Sequence, residues 1–132
     1  MIEANNLTKS YNNVTVLNIP QLKIEQGESF GLVGNNGAGK TTFFSLILDI
    51  IKTNSGCVLS KEKDVKMSEH WKDYTGAYLD ESFIIDFLTP EEYFEFIGTL
   101  HGLTKQQSKD KIQTYSDFFN GEILDKKKFI RE

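Results

Sequence analysis

Gly34-Asn35-Asn36-Gly37-Ala38-Gly39-Lys40-Thr41 fits the phosphate-binding loop pattern G-x-x-x-x-G-K-[ST] at every fixed position. Glycines let a chain turn tightly around an anion, so that successive backbone N–H groups point inward at its oxygens. A helix starting at the end of the loop adds its unpaired N-terminal N–H groups and its positive dipole end. In this pattern Lys40 reaches the β- and γ-phosphates and the Thr41 hydroxyl ligates Mg²⁺. The flanks agree. Phe30-Gly31-Leu32-Val33 reads as a short buried strand, and Thr42-Phe43-Phe44-Ser45-Leu46-Ile47-Leu48 as the helix behind the loop. The bland alternative is a Gly-rich turn that matches by accident, and the strand–loop–helix setting weighs against it. The stretch points to a nucleoside triphosphate.

Composition sets the bounds around this reading. A chain of 132 residues fits one domain with a real core, and 39% apolar with 26% charged residues is ordinary for a soluble globular protein. The net charge of −4 makes no electrostatic case for nucleic acid. Lone Cys57 excludes an internal disulfide, and two histidines supply no zinc-type cluster. No stretch approaches a membrane span, and the N-terminus lacks the basic flank and apolar centre of a signal peptide.

Outward from the loop, residues 2–33 read as β structure. Ile2-Glu3-Ala4 and Val14-Thr15-Val16-Leu17 are short strand candidates on either side of Asn12-Asn13, and Leu22-Lys23-Ile24 alternates. Cys57-Val58-Leu59 suggests another strand, 61–72 a polar surface connection, and Gly76-Ala77-Tyr78-Leu79 a second central strand. The pattern then turns helical. Thr89-Pro90-Glu91-Glu92 combines an N-cap, a first-turn proline and first-turn acids, and Tyr93, Phe94, Phe96, Ile97 and Leu100 form one apolar stripe. After Gly102 a second helix starts near Thr104, with Gln107 placed for a capping box and Ile112, Tyr115, Phe118 and Phe119 expected on its inner face. Residues 120–132 are highly charged without a clear period.

On three separated features the chain resembles the ATP-binding cassette (ABC) ATPase family, the nucleotide-binding subunits that drive membrane transporters. Leu7-Thr8-Lys9-Ser10-Tyr11 is similar to its opening strand and the aromatic that stacks on adenine. The run from Glu25-Gln26-Gly27-Glu28 through Thr42 is a close match, with Asn35-Asn36-Gly37-Ala38-Gly39 more specific than the bare loop pattern. Leu88-Thr89-Pro90-Glu91-Glu92-Tyr93-Phe94 resembles the start of the family's helical subdomain. The resemblance implies an α/β fold, a P-loop NTPase core with N-terminal antiparallel β strands over 1–80 and an incomplete helical subdomain over 81–132. It implies ATP and Mg²⁺ as cofactors, a transmembrane permease subunit and a second ATP-binding subunit as partners, and a cytoplasmic place at the inner face of a membrane. The family's signature motif, Walker B strand and switch histidine lie downstream of the matched region, so the expectation is an N-terminal fragment that self-associates through uncovered sheet.

The resemblance also assigns residues. Nucleotide binding falls to Tyr11, Asn35, Asn36, Gly37, Ala38, Gly39, Lys40, Thr41 and Thr42, catalysis to Lys40 and Asp80, and the metal to Thr41 and Asp80. Asp80 carries two readings. Ala77-Tyr78-Leu79-Asp80-Glu81 looks like a Walker B strand, with Asp80 on the metal through water and Glu81 polarising the attacking water. The family register instead aligns 76–80 with the segment ending in the Q-loop glutamine, where this chain has Asp80. Phe83-Ile84-Ile85-Asp86 reads as packing, His70 and His101 as surface residues, and Lys126-Lys127-Lys128 as a solvated charge run. Two functions follow: ATP hydrolysis coupled to transport in the parent subunit, or a non-catalytic nucleotide-binding module. An unrelated P-loop kinase or GTPase is the third option, and no guanine-reading N-K-x-D motif is present.

Overall fold

The computed structural model describes residues 1–131. The chain divides into two compact units, Met1–Leu79 and Asp80–Glu132. The first is built on a four-stranded antiparallel sheet of order β2-β1-β3-β4, with β1 at Ile2–Tyr11, β2 at Val14–Ile24, β3 at Ser55–Ser60 and β4 at Lys63–Asp64. One helix, α1 (Lys40–Ile47), belongs to this unit.

The strands run longer than the alternation in the sequence suggests because local turn chemistry holds them in register. Asn12 and Asn13 both adopt positive φ (48° and 65°), the backbone of a two-residue turn whose twist matches the flanking strands. Pro20 is accommodated because β2 is an edge strand, where a missing N–H costs no ladder bond on its outer side. Within β1 the register on β3 slips between Asn5 and Thr8, and Asn6 has φ 49°. This bulge brings both Ala4 and Leu7, three residues apart, onto the buried side, where strict alternation would separate them.

The core gathers on that side. Leu7 and Phe43 are fully buried, with Ala4, Leu46, Ile47, Val58, Val65 and Trp71 around them. Fully burying a side chain such as Phe43 contributes about 1.5–3 kcal/mol, so α1 is held by its inner face. The stretch 61–72 departs from the expected polar surface connection. It contains β4, and its two apolar anchors, Val65 and Trp71, insert into the core, with the indole N–H donating to the Val65 carbonyl at 3.2 Å.

Two expected strands are absent. Residues 30–33 and 76–79 carry no strand, and among the described residues no backbone–backbone hydrogen bond joins either run. A strand is defined by its ladder, and these runs have no neighbour to pair with. Val33 is 94% exposed and Tyr78 67%. Both runs border one open cavity of about 590 Å³ with Phe44 and Ile47 of α1.

The second unit is helical: α2 at Pro90–Leu100, α3 at Lys105–Gln113 and α4 at Ser116–Phe119. Complete capping boxes start α2 (Thr89 with Glu92) and α3 (Thr104 with Gln107); the sequence indicates the second as a box and the first only as a Thr89 N-cap with first-turn acids. The inner face expected of the second helix is only partly formed. The chain turns after Gln113, so Phe118 is left 83% exposed while Phe119 stacks on Phe94 at 5.9 Å between ring centroids. The apolar stripe of α2 is likewise uneven: Phe94 and Ile97 are half-buried, and Phe96 and Leu100 are exposed.

Candidate functional site

The loop 34–41 joins the unpaired run 30–33 to α1. Its shape follows from two glycines. Ala38 N–H donates to the Asn35 carbonyl at 3.1 Å, closing a turn in which Gly37 has φ 83°. Gly39, at φ 82°, is the residue that enters α1. Neither conformation suits a residue with a Cβ. Gly39 carries a second constraint: an added Cβ would lie 2.6 Å from the Val16 carbonyl oxygen and 3.4 Å from Leu17 Cδ1. The loop is pressed against β2.

That contact has its own local cause. The β1–β2 register shifts between Lys9 and Ser10, so that Lys9 partners Leu17 and Ser10 partners Thr15, with Val16 between them as the extra residue. The bulged Val16 borders a cavity of about 270 Å³ shared with Asn36, Gly37, Gly39, Lys40, Thr41 and Thr42. The sequence reading did not single out Val16 or Leu17, and a bulge in a valine-rich strand leaves no signal in composition.

The donors of this cavity are the backbone N–H groups of the loop and of the first turn of α1. Lys40, Thr41 and Thr42 open the helix, where N–H groups have no partner one turn back. The first turn holds no acidic side chain to compete for them. The Lys40 ammonium is folded back onto the loop, donating to the Gly34 carbonyl at 2.6 Å and the Asn35 carbonyl at 2.8 Å. These acceptors are replaceable by phosphate oxygens, which are stronger partners for a cation. The Thr41 hydroxyl makes no hydrogen bond among the described residues and borders both this cavity and the larger one beside 76–79. A left-handed glycine pair, a cluster of free N–H donors and one lysine fit a chain of phosphates.

The fit to Mg²⁺ is of a different kind. Among the described residues no group of three or more His, Cys, Asp or Glu side chains could cage a metal. Mg²⁺ is commonly held by one or two protein groups together with substrate phosphates, so a single free hydroxyl suits a metal that arrives with its nucleotide.

The other assigned residues are not among those that line the loop cavity. Tyr11 ends β1 opposite Val14, is 48% exposed and carries the Lys9 ammonium 4.7 Å from its ring centroid. Lys9 and Tyr11 are two apart and share a sheet face with Leu17, the residue that meets Gly39, but Val16 rather than Tyr11 borders the loop cavity. Asp80 opens the second unit. Its Oδ1 accepts from the Ser82 N–H at 2.8 Å and from the Ser82 hydroxyl, so it caps the short helical turn Glu81–Phe83. Those bonds, the side-chain one foremost, hold the Asp80 carboxyl below the usual carboxylate range. His70 faces Asp73 at 3.6 Å on the surface, and His101 is exposed at the end of α2.

The ABC transporter family model matches residues 17–131. The linearmycin resistance ATP-binding protein LnrL of Bacillus subtilis is 31% identical over 134 residues, covering 88% of this chain and 43% of LnrL. The ABC transporter ATP-binding protein NatA of Bacillus subtilis is 33% identical over 100 residues, covering 74% of this chain and 41% of NatA. The chain thus spans less than half the length of these curated relatives. A solved Pyrococcus furiosus structure, described as an ABC transporter ATP-binding protein, superposes with a TM-score of 0.76 at 24% identity, covering 98% of this chain and 61% of that one. That likeness shows the fold, an α/β P-loop NTPase core with antiparallel strands. The chain belongs to the ABC transporter family.

Proposed function

We propose that this chain is the nucleotide-binding part of an ABC transporter ATP-binding subunit, in which ATP binding and hydrolysis drive transport across a membrane. The observation that carries the reading is the loop itself: free N–H donors, Lys40 and Thr41 converge on one cavity formed by two left-handed glycines. Lys40 exchanges its two carbonyl acceptors for phosphate oxygens and neutralises their charge, while the backbone of 37–42 supplies fixed donors. Thr41 and Asp80 are the proposed Mg²⁺ ligands, and Tyr11 the proposed platform for adenine. The bound Mg²⁺ supplies charge neutralisation at the phosphoryl group. Support for the whole-subunit role comes from the matched relatives. The proposed partners are a transmembrane permease subunit and a second ATP-binding subunit, which would hold the chain at the cytoplasmic face. Among the described residues no helix is long and apolar enough to cross a membrane.

A second reading has its own observation. Among the described residues, those bordering the loop cavity include no carboxylate and no imidazole, so no described general base stands beside the phosphate donors. On this reading the isolated chain binds ATP without turning it over. Phosphate release under single-turnover conditions, beside Lys40→Ala, separates the two: release above the variant's background contradicts the second reading. The unpaired runs 30–33 and 76–79 further support self-association of the isolated chain.

A further inference from the structure

One lysine of the first unit is set against an aromatic ring rather than an acid. Leu7, Lys9 and Tyr11 alternate along the end of β1 and so share one sheet face, the face on which Leu7 joins Phe43 of α1 in the core. The Lys9 ammonium lies 4.7 Å from the Tyr11 ring centroid and donates to the Lys52 carbonyl at 2.7 Å. Among the described residues it makes no ion pair, whereas Lys23, Lys72 and Lys105 each do. The carbonyl fixes the head of the lysine, and the ring receives it.

The Tyr11 side chain depends on that contact. Tyr11 is the last residue of β1, paired with Val14 beside the Asn12-Asn13 turn and beyond the part of β1 that pairs with β3. Among the described residues its hydroxyl makes no hydrogen bond and no second aromatic ring packs on it, so Lys9 is the one polar or ring partner of this side chain. Tyr74 differs. Lys61 lies 3.6 Å from its ring centroid, but the Ser60 hydroxyl also holds Tyr74, at 3.2 Å. Tyr11 is also close to the phosphate cavity: Val16 borders that cavity and stands two residues from Val14, about 7 Å along β2.

We propose that Lys9 is a positioning residue for the nucleotide base: anchored on Lys52, its ammonium holds one face of the Tyr11 ring and leaves the opposite face to stack. This rests on the proposed reading of Tyr11 as the adenine platform. A ring already held loses less freedom when a base arrives, so the ammonium raises affinity for the base and leaves the contacts of the phosphates as they are.

The test is the ratio of ATP to inorganic tripolyphosphate affinity, measured by calorimetry with Mg²⁺ on the full chain and three variants. Tripolyphosphate has no base, so only the loop and Mg²⁺ bind it. Tyr11→Ala should weaken ATP about fivefold or more, the loss of one base–ring stack. Lys9→Met, which keeps an unbranched stem and removes the charge, should weaken ATP about two- to fivefold. Both should leave tripolyphosphate unmoved, and Lys9→Arg, which keeps a cation over the ring, should restore ATP affinity. If the unmutated chain binds neither ligand, or Tyr11→Ala leaves the ratio unchanged, the reading of Tyr11 fails and the proposal with it. If Tyr11→Ala lowers the ratio and Lys9→Met does not, the platform stands and the role of Lys9 is overturned. Tighter ATP binding by Lys9→Met would place the ammonium on the face the base needs, and equal weakening of both ligands would show a purely structural role; either overturns the proposal.

Discussion

Replacing Gly39 by alanine should destabilise the first unit far more than the same change at Gly37, although both glycines sit in one loop with nearly the same φ (82° and 83°). Each substitution carries the cost of a left-handed backbone at a residue with a Cβ, about 1–2 kcal/mol. At Gly37 nothing lies within 4 Å of the new methyl, so that is the whole effect. At Gly39 the methyl would meet the Val16 carbonyl oxygen at 2.6 Å, a backbone atom of the bulge whose two neighbours, Thr15 and Leu17, are both paired with β1. Forcing an extra carbon into packed structure costs about 1–3 kcal/mol more, bringing Gly39→Ala to roughly 2–5 kcal/mol. That is a large share of the roughly 5–15 kcal/mol that holds a domain. Trp71, the single tryptophan, lies in the same core cluster as Phe43 of α1, so its fluorescence in a urea titration reports this unit. The expected result is a clear shift of midpoint for Gly39→Ala and a small one for Gly37→Ala. Equal shifts would refute the claim that the loop is seated on β2.

Four further outcomes follow. Thr89→Ala removes the N-cap of α2 and should cost about 1 kcal/mol of helix stability, read by amide exchange in 90–100. Glu92 is held below the usual carboxylate range, first by the Thr89 backbone N–H and then by its hydroxyl, so its contribution is present above that range and lost as pH falls through it; acid should therefore loosen α2 in the unmutated chain more than in Thr89→Ala. Glu62 occupies the β3–β4 turn at φ 67°, and Glu62→Gly should raise the unfolding free energy, read from the Trp71 transition, by roughly 0.5–1 kcal/mol, with a loss of stability counting against the turn assignment. Sedimentation of the isolated chain should show a concentration-dependent rise in mass, and a monomer throughout would mean that 30–33 and 76–79 pair with no second copy.

The phosphate loop, the Thr89 N-cap and the Thr104 capping box were legible because each depends on side chains at fixed spacing along one stretch of chain. Gly34, Gly39, Lys40 and Thr41 announce the loop, and Thr89 with Glu92 announces α2. What escaped depends on partners distant in sequence. Phe30-Gly31-Leu32-Val33 has the apolar character of a strand, but a strand also needs a neighbour, and none is supplied among the described residues. Trp71 sits in a polar stretch whose pattern hides that one indole reaches the core. The Val16 bulge that seats Gly39 arises from a register shift between strands, which alternation within either strand does not reveal. Tyr11 and Asp80 were assigned through the family resemblance, and their roles remain proposals.

The most direct test of the account is equilibrium binding of ATP to the purified chain, with and without Mg²⁺, beside Lys40→Ala. The account predicts saturable binding that strengthens with Mg²⁺ and falls roughly tenfold or more in the variant, as expected for losing a charge-assisted contact. Binding that is indifferent to Lys40, or no binding by the unmutated chain, would contradict it.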